Sequence, residues 1–128
     1  MIAMTKESVE FENRVGEFLS EKWDKPLKER TIKIGNFNKK FDLVSEDQSI
    51  IGDAKYYKRT KGNNSPSAKL SIIGEYVWLL EKTTASKKFL VFGQDIKVPK
   101  EWLKRFGSLT TIEFYFFENN QLILLNQK

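Results

Sequence analysis

The sequence contains no cysteine and no histidine among its 128 residues. Without cysteine, the chain has no disulfide framework, no thiolate zinc site and no cysteine nucleophile. Without histidine, it has no Ser-His-Asp triad, no imidazole base and no histidine-bound metal. If the protein is an enzyme, its chemistry must therefore come from carboxylates, lysine, tyrosine or a hard metal ion.

Long hydrophobic runs are also missing. The longest apolar run covers residues 76–80, whereas a helix needs about 20 such residues to span a bilayer. The N-terminus lacks the basic and then apolar pattern of a signal peptide. We therefore expect a cytoplasmic protein without a membrane partner. The length suits one domain covering residues 1–128, and 40% hydrophobic with 30% charged residues is typical of a folded globular chain.

The net charge of +5 is distributed unevenly along the chain. Residues 25–40 carry six basic side chains against Glu29, and residues 54–74 carry five basic side chains and no acid. Each segment therefore has a charge of +5. The remainder of the chain carries an equal negative charge, which cancels one of the two segments in the net total. Two interpretations stay open from charge alone, namely a polyanionic partner or two solvated surfaces.

Hydrophobic periodicity and turn residues predict an α/β protein. Helical spacing predicts a first helix over residues 5–23 and a second from about residue 66 to 83, which is apolar enough to be central and well buried. A mixed sheet with helices packed on it follows from the order of the elements. The remaining predicted elements are strands at 31–34, 41–45, 49–57 and 89–92, a short helix at 99–106, and a C-terminal hairpin of 111–117 with 121–125.

An acid and a base share one face of the third predicted strand. Asp53 and Lys55 are separated by one residue, and alternate side chains of a strand point to the same side. Asp42 lies at the start of the preceding strand. A charge inside an apolar strand needs a partner or a metal ion. The alternative is an ordinary ion pair between strands or facing solvent.

One carboxylate of the first helix is placed to join them. At about 100° per residue, Glu12 falls inside the apolar stripe, whereas Glu10 and Glu17 fall on the solvent side. We expect Glu12 to face the sheet; the alternative is a rim residue whose stem packs while its head reaches water. Lys69 shares the apolar stripe of the second helix. It either reaches the same cleft or extends from the helix end into solvent.

The order of these residues resembles the PD-(D/E)XK nuclease superfamily, which has an acid on the first helix and Asp followed by Asp-x-Lys on a hairpin. Residues 11–19 look like the first helix of archaeal Holliday-junction resolvases, and residues 41–44 and 52–55 look like the two later motifs. The resemblance covers residues 5–93 and does not extend to 94–128. Phe41 stands where the signature has Pro, and Asp53 occupies a position often filled by Glu.

The resemblance implies a restriction-endonuclease-like αβββαβ core, with a central mixed sheet flanked by helices and followed by a C-terminal hairpin. It implies a metal-dependent endonuclease that hydrolyses DNA phosphodiester bonds, with junction or branched DNA as one substrate class. Mg²⁺, with Mn²⁺ as substitute, would be bound directly by Asp42 and Asp53, with the main-chain carbonyl of Ala54 as a third ligand. Glu12 would complete the site directly or through water. Lys55 would stabilise the transition state or position the attacking water; the alternative is a structural partner for Asp53.

Basic residues flank this set along the chain, and we expect them to contact a nucleic-acid backbone. They are Lys39, Lys40, Lys58, Arg59, Lys61 and Lys69. The apolar C-terminal hairpin either completes the sheet edge or forms a homodimer interface. Two other functions stay open: a non-catalytic nucleic-acid-binding or assembly module on the same fold, and a small α/β protein whose motif is fortuitous, with the three acids far apart.

Overall fold

A computed structural model describes residues 5–57 and 67–126. The protein is α/β, with a six-stranded mixed sheet in the order β1-β2-β3-β4-β5-β6. Strands β3, β4 and β5 are parallel to one another, and the other neighbours are antiparallel. The elements are α1 (Lys6–Lys22), β1 (Leu27–Ile34), β2 (Phe37–Ser45), β3 (Ile50–Tyr57), α2 (Ser67–Glu81), β4 (Lys87–Gln94), α3 (Lys97–Phe106), a 3₁₀ turn (Gly107–Leu109), β5 (Glu113–Glu118) and β6 (Gln121–Leu124).

Helix α1 covers one face of the sheet. The hydroxyl of Thr5 caps the helix by accepting a 3.1 Å hydrogen bond from the N–H of Ser8. Phe11, Val15 and Leu19 are buried against the sheet, in a cluster that includes apolar residues of β2, β3, β4 and β5. The apolar stripe predicted for this helix is thereby confirmed, and it fixes which side of α1 faces the strands.

Helices α2 and α3 cover the opposite face. Their buried side chains join a second cluster with the apolar residues of β4 and β5. There the rings of Phe92 and Trp102 both stack on Phe114, with centroid distances of 5.4 and 5.2 Å. Strand β4 is therefore covered on both faces, as its fully apolar segment predicts.

The first two strands are longer than the sequence predicts. β1 begins at Leu27 rather than at residue 31, and β2 begins at Phe37 rather than at residue 41. The added residues are mostly polar and exposed, so they show little of the hydrophobic alternation on which the prediction depended. They are extended because each strand pairs with the other, from Arg30 opposite Phe41 to Ile34 opposite Phe37.

Helix α2 is less buried than predicted. Ile73 and Leu80 are fully buried, but Ile72 and Trp78 are 42% and 59% exposed. A helix on a sheet hides only the stripe that faces the strands, and α3 covers α2 on one flank. Trp78 consequently lines an open groove between α2 and α3 instead of a closed core.

The predicted turns place the hairpins correctly. Gln48 adopts a φ of 59° in the turn between β2 and β3, and Asn119 and Asn120 adopt 53° and 56° in the turn between β5 and β6. The C-terminal hairpin forms the edge of the sheet beside β4. Within residues 5–57 and 67–126, no helix is long and apolar enough to cross a bilayer.

Candidate metal centre

A β-bulge places Asp42 at the centre of the candidate site. Lys28 pairs with Val44 and Arg30 pairs with Phe41, so both Asp42 and Leu43 stand opposite the single residue Glu29. Such a bulge bends the strand and redirects a side chain. Asp42 therefore lies inside β2, beside an irregularity that sequence periodicity does not reveal, rather than at the start of the strand as predicted.

Strands β2 and β3 are joined by carboxylates where their main-chain pairing ends. The two strands pair at Leu43 with Gly52. At the next position, the N–H of Asp42 donates to Oδ1 of Asp53 at 2.9 Å, and the N–H of Ala54 donates to Oδ2 of Asp42 at 3.1 Å. Each aspartate thus binds the main chain of the opposite strand, which holds both side chains in the opening between the strands.

Asp53 and Lys55 form an inward-facing ion pair, as strand alternation predicts. Lys55 Nζ lies 2.8 Å from Oδ2 of Asp53, and the two side chains are 12% and 4% exposed. The ammonium group also lies 3.2 Å from the ring centroid of Tyr76. Burial is the largest influence on the pKa of Lys55 and acts to lower it, but the charge and hydrogen bond of Asp53 and the nearby Tyr76 and Tyr57 together raise the pKa. The pair therefore keeps Lys55 protonated.

Three carboxylates converge in front of the bulge. Glu12, Glu29 and Asp42 each offer one oxygen within 4.8 Å of the others. Burial, followed by the charges of Asp53 and Glu12, raises the pKa of Asp42 to about 8. Burial, followed by the charges of Asp53 and Glu29, raises the pKa of Glu12. The carboxylates thus repel one another when all are ionised.

This donor set fits a hard divalent cation. Mg²⁺ and Mn²⁺ prefer oxygen ligands, and a cation among the three acids would relieve the repulsion that raises the pKa of Asp42 and Glu12. The cluster opens into a groove of about 530 Å³ between α1 and the first two strands, which Glu12, Glu29 and Asp42 line. The groove leaves the three acids accessible from outside the protein.

Glu29 is the site residue that sequence reasoning missed. Its only sequence signal is that it is the one acid in the basic segment 25–40. The bulge brings it to Asp42, and this pairing irregularity depends on the register of two strands. Lys40 Nζ lies 3.7 Å from Glu29, but both side chains are more than half exposed, so the pair contributes little.

The structure brings Glu12, Asp42, Asp53 and Lys55 together, which is the opposite of what a fortuitous motif predicts. Asp53 already accepts bonds from Asp42 and Lys55 at its two oxygens. Its direct ligation of a metal, and that of the Ala54 carbonyl, stay predictions.

The six basic residues predicted to contact DNA divide into three groups. Lys39 is half-buried, with its ammonium group 4.4 Å from the Tyr76 ring centroid, and Lys40 is exposed beside Glu29. Lys69 is half-buried, 5.2 Å from the Tyr57 ring centroid. Because Tyr57 follows Lys55 on the same strand face, this places Lys69 near the cleft. Lys58, Arg59 and Lys61 lie outside the described residues.

Comparisons with known proteins leave the site to be interpreted from its own geometry. No protein-family model matches the chain, and searches of curated proteins and of solved structures find no match.

Proposed function

We propose that this protein is a metal-dependent endonuclease that hydrolyses DNA phosphodiester bonds, and that its αβββαβ core has the restriction-endonuclease-like fold. One observation carries the proposal: Glu12 from α1, Asp42 from β2 and the Asp53–Lys55 pair from β3 meet at one opening in the sheet. Carboxylates beside a paired lysine supply what phosphodiester hydrolysis needs, which is metal ligation together with a fixed positive charge.

Each residue has a distinct task in this proposal. Glu12, Glu29 and Asp42 hold the cation, and a bound Mg²⁺ or Mn²⁺ supplies charge neutralisation and a water of lowered pKa. Asp53 fixes the main chain at Asp42 and holds Lys55 charged. Lys55 donates to a phosphoryl oxygen as negative charge builds up on it. Its ion pair and its contact with Tyr76 both favour the ammonium form, which supports a stabilising role rather than that of a base.

The charge around the site supports DNA as the substrate. Lys39 and Lys40 precede Asp42 on the same strand, within a segment of net charge +5. Contacts between such residues and phosphates supply affinity that is sensitive to salt and largely independent of sequence. A homodimer would provide the two sites needed to cut both strands of a duplex. Light scattering at assay concentration tests that part of the proposal, and a monomeric mass contradicts it.

A cleavage screen tests the proposed activity. Purified protein is incubated with supercoiled, linear, single-stranded and branched DNA, with Mg²⁺, with Mn²⁺ and with chelator. We expect metal-dependent cleavage that Asp42→Asn and Lys55→Met each reduce by at least about 100-fold. The matched controls are Asp24→Asn and Lys100→Met at exposed positions. Metal-independent, salt-sensitive DNA binding without any cleavage would instead support the non-catalytic binding module.

A further inference from the structure

A second cavity borders the carboxyl ends of the three parallel strands. β3 ends at Tyr57, β4 at Gln94 and β5 at Glu118. In open α/β sheets, ligands bind outside the carboxyl ends of the parallel strands. The cavity here has a volume of about 370 Å³ and is lined by residues of α1, β3, β4 and β5 and of the turn after β5. It shares no lining residue with the groove of the candidate metal centre.

Aromatic rings form the inner wall of this cavity. Phe11 and Tyr56 line it with ring centroids 5.0 Å apart, and Phe117 lies 6.2 Å from Phe11. The ring of Phe11 packs directly on the main chain of β4, because a Cβ at Gly93 would overlap it. The wall is therefore a fixed apolar surface, which is suited to hold a planar ligand.

Polar side chains without partners surround the aromatic wall. Arg14 and Glu118 carry opposite charges and line the same cavity, to which Gln94 and Asn119 contribute amide groups. All four residues are exposed. Within the two ranges that the structure describes, none of these four side chains forms a hydrogen bond or an ion pair. The cavity thus presents a cation, an anion and two amides that a ligand can bind.

A strained turn holds Gln94 at the cavity. The N–H of Asp95 donates to the carbonyl of Gly93 at 2.9 Å, and Gln94 between them has a φ of 68°. A γ-turn with a positive φ at its centre is rare and strained, and glycine would adopt it at the lowest cost. Non-glycine residues in such conformations cluster at ligand clamps. The glutamine side chain at this position therefore points to a task in binding.

We propose that this cavity binds a nucleotide whose base carries an exocyclic amine, as in guanine, adenine and cytosine. The base packs on the Tyr56 ring, its amine donates to the Glu118 carboxylate, and Arg14 donates to the phosphate. The amides of Gln94 and Asn119 pair with other atoms of the base edge. The site uses none of the residues of the candidate metal centre, so the inference does not depend on the proposed nuclease function.

Nucleotide titrations followed by NMR test the site directly. The ¹⁵N-labelled full-length protein is titrated in chelator with dGMP, dAMP, dCMP, TMP and deoxyribose 5-phosphate. We expect the side-chain amide signals of Gln94 and Asn119, identified by their loss in the glycine variants, to shift with the first three. TMP and the sugar phosphate should bind about 10-fold more weakly. Equal affinity for all five compounds, or no shift up to about 10 mM, overturns the proposal.

Charge variants locate the two ends of the ligand. Arg14→Gln should weaken dGMP binding by about 10-fold or more and leave binding of the nucleoside deoxyguanosine unchanged. Lys22→Gln, at an exposed position on the same helix, should change neither. Glu118→Ala should lower the affinity for dGMP to that for TMP. If Arg14→Gln or Glu118→Ala binds every compound as the wild type does, the assigned contacts are overturned.

Gln94 and Gln48 are a matched pair that separates backbone strain from binding. Both are exposed glutamines with a positive φ, but Gln48 lies in the turn between β2 and β3 and does not line the cavity. Glycine relieves the strain at each position, so neither glycine variant should lower the Tm. Only Gln94→Gly should weaken dGMP binding, by about fivefold. Full affinity in Gln94→Gly overturns the proposal.

A free nucleotide and the nucleotide at the 5′ end of a strand present the same groups. Oligonucleotides with a 5′-phosphate and with a 5′-hydroxyl are therefore tested as competitors of dGMP. Competition by the phosphorylated strand alone assigns the site to strand ends, and competition by neither assigns it to free nucleotides. Equal competition by both overturns the phosphate contact of Arg14. Because binding is measured in chelator, nucleotide binding without DNA cleavage overturns only the nuclease, and cleavage without amide shifts overturns only this inference.

Discussion

The N–H of Asp42 donates a 2.9 Å hydrogen bond to Oδ1 of Asp53 on the neighbouring strand. The bond replaces a main-chain contact at the point where β2 and β3 separate, and the N–H of Ala54 returns an equivalent bond to Asp42. The two aspartates therefore take the place of main-chain hydrogen bonds where the strands separate, so the separation also fixes where the two acids lie. A change at either aspartate should therefore affect both the fold and the chemistry.

We predict that the Asp53–Lys55 pair contributes to stability and to cleavage by separate effects, which single and double variants distinguish. Asp53→Asn keeps an oxygen for the Asp42 N–H but leaves Lys55 with a buried charge, so it should lower the free energy of unfolding by about 3 kcal/mol. Adding Lys55→Met should restore most of that loss without restoring cleavage. Urea unfolding and cleavage rates of both single variants and the double variant measure the two effects.

The surface Arg105–Glu101 pair is the control for this cycle. Its side chains are 54% and 30% exposed, so Glu101→Gln should change stability much less than Asp53→Asn. A double variant that recovered both stability and cleavage would show that Lys55 has only a structural role.

We predict that the metal-free protein becomes less stable as pH rises towards 8. The raised pKa of Asp42, about 8 in the folded chain against 3.8 as its ordinary value, means that the folded state holds a proton that the unfolded state has released. Stability from this group is therefore present below about pH 4 and is lost as pH rises through 8. Glu12, Glu29, Asp53 and Lys55 are the charged groups around it.

Urea unfolding in chelator between pH 5 and 8 measures this effect. The free energy of unfolding should fall by up to about 1 kcal/mol per pH unit. Asp42→Asn removes the proton-binding group and should flatten the profile, so that the variant is more stable than the wild type at pH 8. Parallel profiles for the two proteins would contradict the prediction.

We predict that divalent cations stabilise the protein through Glu29 as well as Glu12 and Asp42. A ligand that binds only the folded state at 100 times its Kd adds about 2.7 kcal/mol. Mg²⁺, Mn²⁺ and Ca²⁺ should therefore raise the Tm of the wild type at pH 8. Glu29→Gln and Glu12→Gln should each weaken the metal-dependent shift, and Glu10→Gln, at an exposed position on the same helix, should leave it unchanged. A full shift in Glu29→Gln would remove that residue from the site.

We predict opposite effects from two glycine substitutions. A Cβ at Gly52 would overlap the ring of Phe89, so Gly52→Ala should destabilise the protein by about 1–3 kcal/mol and disturb the adjacent Asp53. A Cβ at Gly74 in α2 would come no closer than 3.7 Å to Trp102. Gly74→Ala should therefore stabilise the protein by about 0.5–1 kcal/mol. Thermal unfolding and cleavage assays compare the pair, and equal effects would contradict the packing at Gly52.

Local periodicity was sufficient to predict most of the fold. The order of helices and strands, the face of α1 that carries Glu12, and the shared side of Asp53 and Lys55 all follow from repeats of 3.6 or two residues. These properties depend on neighbours along the chain. The polar parts of β1 and β2 escaped prediction because their extended form comes from pairing with each other rather than from an apolar pattern.

What the sequence by itself determined is therefore the set of chemical groups and the side of each element on which they lie. Without cysteine or histidine, any metal site in this chain must use oxygen ligands. The tertiary structure alone brought Glu29 to the acids that the sequence had singled out. The bulge opposite Glu29 and the opening between β2 and β3 depend on how distant strands align. Strand register is a long-range property, because it is set by packing and pairing between segments that no local pattern connects.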